Sequence, residues 1–289
     1  MKSPIALFIL SGICFSTVDA IAKILVQETN LIAVLWARFF GQVLLATPVA
    51  IWFLGRKFGR TNNLRLQLFR SFLLMITSAL FFAGLNWLPL AEASSITFTA
   101  PIWVAILSGP ILGDKVSRKE WGIAGLGFFG ILLVARPGSE VFHMAALLLI
   151  LMAFCNALFQ IYTRKLTNDS AYTTFFYSGL VGFFTSTALL PYAKELPSIS
   201  TLDYALFGAI GILGGLGHLL VVLALYRMRP YKLTPLVFLQ LIWAVGYGFL
   251  IFGQYPDSWG LLGMLLIAFS GLWLIWHHQS KSQSTKELN

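Results

Sequence analysis

The sequence predicts an all-α polytopic membrane protein with ten transmembrane helices in two inverted five-helix repeats. Three observations predict it. Apolar runs of spanning length recur along the whole chain, Lys and Arg crowd into every second break between them, and the two halves of the chain match in register.

Of the 289 residues, 58% are hydrophobic and 11% charged, where a soluble domain carries roughly 25% charged residues. So little charge cannot clothe a soluble protein of this size, and the outer surface is expected to meet the lipid bilayer. A net charge of +9 would fit nucleic acid if the basic residues formed one patch, but here they are dispersed between apolar runs, so no nucleic-acid partner is expected. Cys14 and Cys155 both fall inside apolar runs, which is the setting of packing residues rather than of a disulfide or metal site. The first run follows Lys2, outlasts a signal-peptide core and has no A-x-A site after it, so it reads as a retained span.

A helix needs about 20 mostly apolar residues to cross the hydrocarbon core, and ten segments qualify. Pro4–Val26 carries Asp19 and Lys23, and Leu31–Leu54 carries Arg38. Leu66–Trp87 follows a basic break. Ala91–Leu112 opens beside Pro89 and Glu92 and holds hydroxyls before Pro101. Glu120–Ala135 is followed by Phe142–Tyr162, which bears Asn156 and Gln160. Tyr172–Tyr192, Tyr204–Tyr226 with His218, Leu233–Gly253 with Gln240 and Trp243, and Trp259–Trp276 complete the set. The polar tail after His277 is expected to be disordered.

The basic residues orient these spans. Lys2, the group Arg56 to Arg70, Lys115 to Lys119, Arg164 and Lys165, Arg227 to Lys232, and the tail lysines all fall on one side, against Arg136 and Lys194 on the other. By the positive-inside rule both termini are cytoplasmic.

An odd number of spans, duplicated, gives halves that face opposite ways. At an offset of 141, Cys14 meets Cys155, Asp19 meets Gln160 and Lys23 meets Arg164; at 140, Glu92 meets Lys232 and Trp103 meets Trp243; at 138, Trp121-Gly122 meets Trp259-Gly260. The expected division is 1–138, 139–278 and a cytoplasmic tail, 279–289. Inverted repeats recur in secondary transporters, which hold substrate near the midplane between the halves and alternate access by rocking. Duplication can also be simply a route to a large membrane fold.

The stretch from Leu80 to Gly138, with NWLPLAEASSITFTAPIW at its centre, resembles the repeat unit of the EamA family of the drug/metabolite transporter superfamily. So do the Asp19-to-Lys23 end of the first span, Arg38-Phe39 in the second, and the run from Thr234 to Trp276. The resemblance covers essentially the whole chain. It implies ten helices in two repeats, a plasma-membrane location, and a central cavity lined mainly by helices 1, 3, 4, 6, 8 and 9. The family's acidic residue after the glycine that ends the fourth helix of each repeat is Asp114 here but Gln254 in the second copy. Members export amino acids and other metabolites, and some relatives import compounds such as S-adenosylmethionine or riboflavin.

Ionisable groups inside hydrocarbon are costly, and each is a functional hypothesis by default. Asp19 and Lys23 are four apart, hence on one helical face. Asp19 and Arg38 lie at a similar depth, ~10 Å from the outer ends of their spans at 1.5 Å per residue. They form either part of an outer gate and substrate path, with Asp19 a proton carrier, or a structural ion pair joining the first two helices, with Lys23 snorkelling outward. Glu92 suits the helix's first turn. Ser94, Ser95, Thr97 and Thr99 either re-satisfy the carbonyl freed by Pro101 and line a cavity or pack helices as small residues. Pro235 is a weaker counterpart of Pro101. Asn156, Gln160, His218, Gln240, Trp103 and Trp243 would line a cavity suited to an amphipathic or zwitterionic metabolite. Trp87, Trp121, Trp259, Trp273 and Trp276 read as interfacial belts, and His277-His278 as solvated tail. Gly109–Gly113 and Gly211–Gly215 have the GxxxG spacing of close helix packing.

No hydrolase, metalloprotease or nucleotide-binding motif is present, so no enzyme, cofactor or metal centre is expected. The expected protein is a carrier that moves a small polar or amphipathic metabolite, such as an amino-acid-like compound, by alternating access. Export is favoured, uptake of an S-adenosylmethionine- or vitamin-like substrate is the alternative, and a lipid or lipid-linked-sugar flippase is the rival from another class. Monomer and homodimer both remain open.

Overall fold

The computed structural model describes residues 3–112, 118–135, 144–166, 168–193, 200–227 and 239–287. Every regular element among them is helical. The helices are α1 (Pro4–Glu28), α2 (Leu31–Leu54), α3 (Leu64–Gly84), α4 (Leu90–Thr97), α5 (Ala100–Leu112), α6 (Arg118–Ala135), α7 (Ala145–Arg164), α8 (Ala171–Leu189), α9 (Thr201–Arg227), α10 (Leu239–Phe252) and α11 (Ser258–Glu287). Single 3-10 turns extend α2 and α8.

Six of these stretches are long and apolar enough to cross a membrane, and Trp121–Val134, Leu239–Phe252 and Ser258–Trp273 are shorter apolar helices. The expected fourth span is not one helix. It breaks at Phe98 and Thr99 into α4 and α5, since Pro101 supplies no N–H for the carbonyl four residues back. The hydroxyls of Ser95, Thr97 and Thr99 donate to the carbonyls of Glu92, Ser94 and Ile96 at 2.7–2.8 Å. Each turns back to a carbonyl three residues earlier, and none of the three bonds the Thr97 carbonyl that Pro101 frees, contrary to expectation.

Caps mark the ends. Asn30, Asn63 and Ser170 accept from backbone N–H groups at the starts of α2, α3 and α8. Ser200 and Asp203 cap each other reciprocally at the start of α9. Gly253 ends α10 at φ 61°, a backbone conformation open to glycine. The tail departs from expectation: α11 continues through Glu287, where disorder after His277 was expected. After Gly271 no glycine or proline interrupts the chain, and its Lys, Gln and Glu residues are good helix formers.

α1 packs chiefly on α9, and α3 on α7 and α8. α2 lies between α8 and α9, α6 pairs with α11, and α10 touches α1 and α4. α2 and α9 meet backbone to backbone. A Cβ added at Gly41 would lie 2.3 Å from Cα of Gly211, so two backbones meet there with no side chain between them. Gly211 and Gly215 thus play the packing part that their spacing predicts.

The bundle inverts the soluble pattern. Leu44, Trp52, Phe184 and Leu250 point outward, Trp52 84% exposed, while Arg38, Gln42, Gln67, Arg70 and Ser178 are buried. Exposed apolar rows of this extent belong against lipid. Cys14 and Cys155 are buried and free, as packing residues.

Candidate functional site

The buried polar groups fall into tiers along the bundle. The first lies at the ends of α1, α3 and α10. Lys23 is only 2% exposed, and its Nζ donates to the carbonyls of Leu85 at 3.1 Å and Leu88 at 2.6 Å. These carbonyls lie just beyond α3, where helical partners run out. The ammonium also sits 5.5 Å from the Phe252 ring and feels the charge of Glu92. Snorkelling of Lys23 to the interface is therefore overturned: the unsatisfied end of α3 is nearer than water.

The second tier joins α1, α2 and α9. Arg38, 6% exposed, donates from one terminal nitrogen to His218 Nε2 at 3.2 Å. A guanidinium only donates, so Nε2 accepts and the imidazole is neutral with its proton on Nδ1. Phe15 meets His218 edge-on at 4.9 Å between ring centroids, and the Phe82 ring lies 6.0 Å from the Arg38 guanidinium carbon. Asp19 on α1 is coupled to Arg38 through their charges. No hydrogen bond joins the two among the described residues, so Arg38 ties α2 to α9 rather than to α1. One turn along α2, Gln42 is fully buried, and neither atom of its amide has a partner.

The third tier lies between α3, α7 and α8. Arg70, 5% exposed, donates through Nε to Thr163 Oγ1 at 2.6 Å and through a terminal nitrogen to Ser178 Oγ at 2.8 Å and the Thr174 carbonyl at 3.3 Å. Its plane sits 4.3 Å over the Phe159 ring. Ser178 itself donates to the Thr174 carbonyl, which leaves no free hydroxyl of the kind a nucleophile needs.

Asp169, in the turn between α7 and α8, closes the series. It accepts from Thr61 Oγ1, from Asn62 N at 2.9 Å and Nδ2 at 2.8 Å, and from Gln67 Nε2 at 2.9 Å. The turn between α2 and α3 is thereby latched to the turn between α7 and α8, beside a cleft of about 820 Å³ lined by Lys57, Arg60, Asn168 and Tyr177. Partial burial alone would raise the Asp169 pKa, but the donors on Thr61, Asn62 and Gln67 outweigh it and hold the carboxyl below its ordinary value of 3.8. A depressed carboxylate adds stability above its unfolded pKa of about 3.9 and loses it as pH falls through the folded value, so the latch is intact at neutral pH. Asp169→Asn should loosen it, and trypsin should cut the solubilised protein several-fold faster near Arg60. An unchanged cleavage rate would show that the turn is held by other contacts.

The remaining expected residues are not drawn into these tiers. Thr97 spends its hydroxyl on Ser94, and Trp103 stands edge-on to Phe154 at 5.6 Å and lines a separate apolar cleft with Trp121 and Phe128. Asn156 is half-buried, Gln160 exposed and Trp243 38% exposed. Gln240 lies against Gly12 of α1. Arg136, Lys194, Arg229, Lys232, Pro235 and Asp114 lie outside the described residues. Sequence reasoning passed over Gln42, Gln67, Arg70, Ser71 and Asp169. The available signal was helical spacing: Arg38 and Gln42 are four apart, and Gln67, Arg70 and Ser71 share one face of α3.

The chain is 26% identical over 281 residues to the S-adenosylmethionine uptake transporter of Rickettsia conorii, covering 96% of this chain and 94% of the relative. It is 26% identical over 270 residues to the riboflavin transporter of Rhizobium johnstonii, covering 92% and 89%. A solved crystal structure superposes with a TM-score of 0.65 at 12% identity, over 94% of this chain and 95% of the other, which is a likeness of fold. The EamA-like transporter family matches residues 2–136 and again 143–276. With apolar helices, lipid-facing side chains and a family match over both halves, the chain belongs to the EamA-like transporter family, whose members are membrane transporters of small molecules and not enzymes.

Proposed function

We propose that this protein is an inner-membrane secondary carrier that takes up a small polar metabolite bearing an aromatic ring system, by alternating access between two inverted halves. The observation that carries the reading is the polar series from Lys23 through Arg38 to Arg70, buried inside helices that are otherwise apolar. Such groups are expensive in a membrane and mark solute paths.

The halves 1–138 and 139–278 are supported by the double family match and by the pattern of packing. Exchange α1 with α7, α2 with α8, α3 with α9, α4 and α5 with α10, and α6 with α11. The contacts α1–α9 and α3–α7 then interchange, as do α2–α9 and α3–α8, while α2–α8 and α6–α11 map onto themselves. On this reading α4 and α5 make one broken crossing, the crossings number ten, and the basic loops with both termini and the 279–289 tail face the cytoplasm. One chain holds both halves, so the path needs no second copy.

The direction departs from the export that the sequence alone favours. The curated relatives above carry the names of uptake and vitamin carriers, and uptake is the direction we propose. Asp19, half-buried and coupled to Arg38, is the proposed proton carrier. One charge moved through 100 mV is worth ~2.3 kcal/mol, a concentration ratio of a few tens-fold.

Proteoliposomes test this directly. Labelled S-adenosylmethionine or riboflavin should enter saturably, faster with an inward proton gradient, and Asp19→Asn should abolish accumulation while leaving exchange at equilibrium. Accumulation and pH dependence unchanged in Asp19→Asn would remove Asp19 from coupling. Failure of both compounds to enter would overturn the substrate class.

A further inference from the structure

We infer that Arg38 and Gln42 form an anion subsite that holds the carboxylate of an amphipathic substrate, with the rings of Phe15 and Phe82 beside its apolar body. The inference rests on the carrier reading above and names the chemistry its substrate must bring.

Three side-chain atoms on one face of α2 are buried and unspent: Nη1 of Arg38, and Nε2 and Oε1 of Gln42. Arg38 is 6% exposed and Gln42 is 0% exposed, so water does not wash them from the surface. Buried polar groups in a folded protein nearly always have partners, and the exceptions call for an explanation. The charges point the same way. Lys23, Arg38 and Arg70 are buried cations. Asp19 is the acid coupled to Arg38, and it makes no hydrogen bond to it among the described residues. Arg70 spends its described donors on two hydroxyls and a carbonyl. Lys23 spends its ammonium on the Leu85 and Leu88 carbonyls, whereas Arg38 keeps a buried donor with no partner, which an incoming monoanion would take.

The geometry selects the anion. The nitrogen of Arg38 that faces His218 is spent, so one oxygen of a carboxylate would take Nη1 and the other the amide N–H of Gln42, one turn away. The guanidinium stem rests against Gly214, with Cγ 3.5 Å from where a Cβ would stand, and His218 fixes its far side. Phe82 on α3 and Phe15 on α1 lie on the same cluster. A carboxylate with an apolar or aromatic body matches this set in charge and shape. A phosphate monoester shares the acceptor chemistry but brings a second negative charge that nothing unspent here balances.

The test uses the purified full chain in detergent and three probes at equal concentration and ionic strength: phenylacetate, phenylacetamide and phenyl phosphate. Phenylacetate should raise the thermal unfolding midpoint, and the other two should not. Gln42→Leu should raise the midpoint of the ligand-free protein, because it removes an unpartnered buried amide, and weaken protection by phenylacetate about tenfold, the worth of one charge-assisted hydrogen bond. Arg38→Lys should abolish protection while keeping the interior charge. Equal protection by the amide, stronger protection by phenyl phosphate, no protection by phenylacetate, or full protection retained in Gln42→Leu would each overturn the subsite. Saturable uptake with charge-blind protection would leave the carrier reading standing and remove only this one.

Discussion

Gly41→Val should leave little or no folded protein in the membrane. At the crossing of α2 and α9 the first atom of any side chain on Gly41 would fall 2.3 Å from Cα of Gly211, and one on Gly211 would fall 2.7 Å from the Ala37 carbonyl. Neither neighbour is a flexible side-chain end that can swing away. Both are backbone, so the helices themselves must part. Overpacking a tight core costs about 1–3 kcal/mol when side chains can adjust, and here they cannot. The same displacement would draw His218 from Arg38, since Arg38 sits about one turn from the contact on α2 and His218 about two turns from it on α9. Gly208→Ala is the control on the same helix. It has nothing within 4 Å, and a helical glycine replaced by alanine in open space gains roughly 0.5–1 kcal/mol. Monodisperse yield and unfolding midpoint in detergent report both. Normal yield from Gly41→Val would mean that α2 and α9 stand further apart than described.

Lys23→Met should lower stability by about 2–4 kcal/mol, because it strands two buried carbonyls that a charged donor now satisfies. Methionine matches the lysine stem in length and apolar character, so packing against α3 is largely kept and the loss reports on the ammonium. Phe252 loses its cation in the same step. The measurement is the unfolding midpoint of the purified protein. A shift no larger than that of an exposed lysine would show that water reaches the Leu85 and Leu88 carbonyls and that the ammonium is dispensable there.

The sequence was most legible where one physical effect acts alone. Among the described residues run length placed apolar helices where helices stand, and glycine spacing marked Gly211 and Gly215 as a close-packing face, while Pro101 sits beside the break that parts the expected fourth span into α4 and α5. It was least legible where two effects compete. Arg70 sits six residues into α3 beside a basic break, so counting topology charges absorbed it, although it is buried among Thr163, Ser178 and Phe159. Lys23 lies near a span end, where snorkelling is the usual outcome, and only the position of α3 shows that carbonyls are closer than water. Spacing correctly put Asn156 and Gln160 on one face of α7, but it could not say whether that face meets helix or lipid, since both are apolar surroundings. Gln160 is exposed. The pairing of Arg38 with His218 spans 180 residues, and no local pattern announces a contact of that separation.

The packing of α1 on α9, α3 on α7 and α6 on α11 also sets how the protein must be made. Helices α1 to α6 lean mainly on α7 to α11, so they enter the membrane before the surfaces they need exist. During synthesis Arg38 and Gly41 wait without α9, and Arg70 waits without α8. A truncated first half would sit in the bilayer as loosely associated helices open to proteolysis. Residues 1–138 and 139–289 expressed as separate chains should protect one another, because the helices of each pack mainly on those of the other.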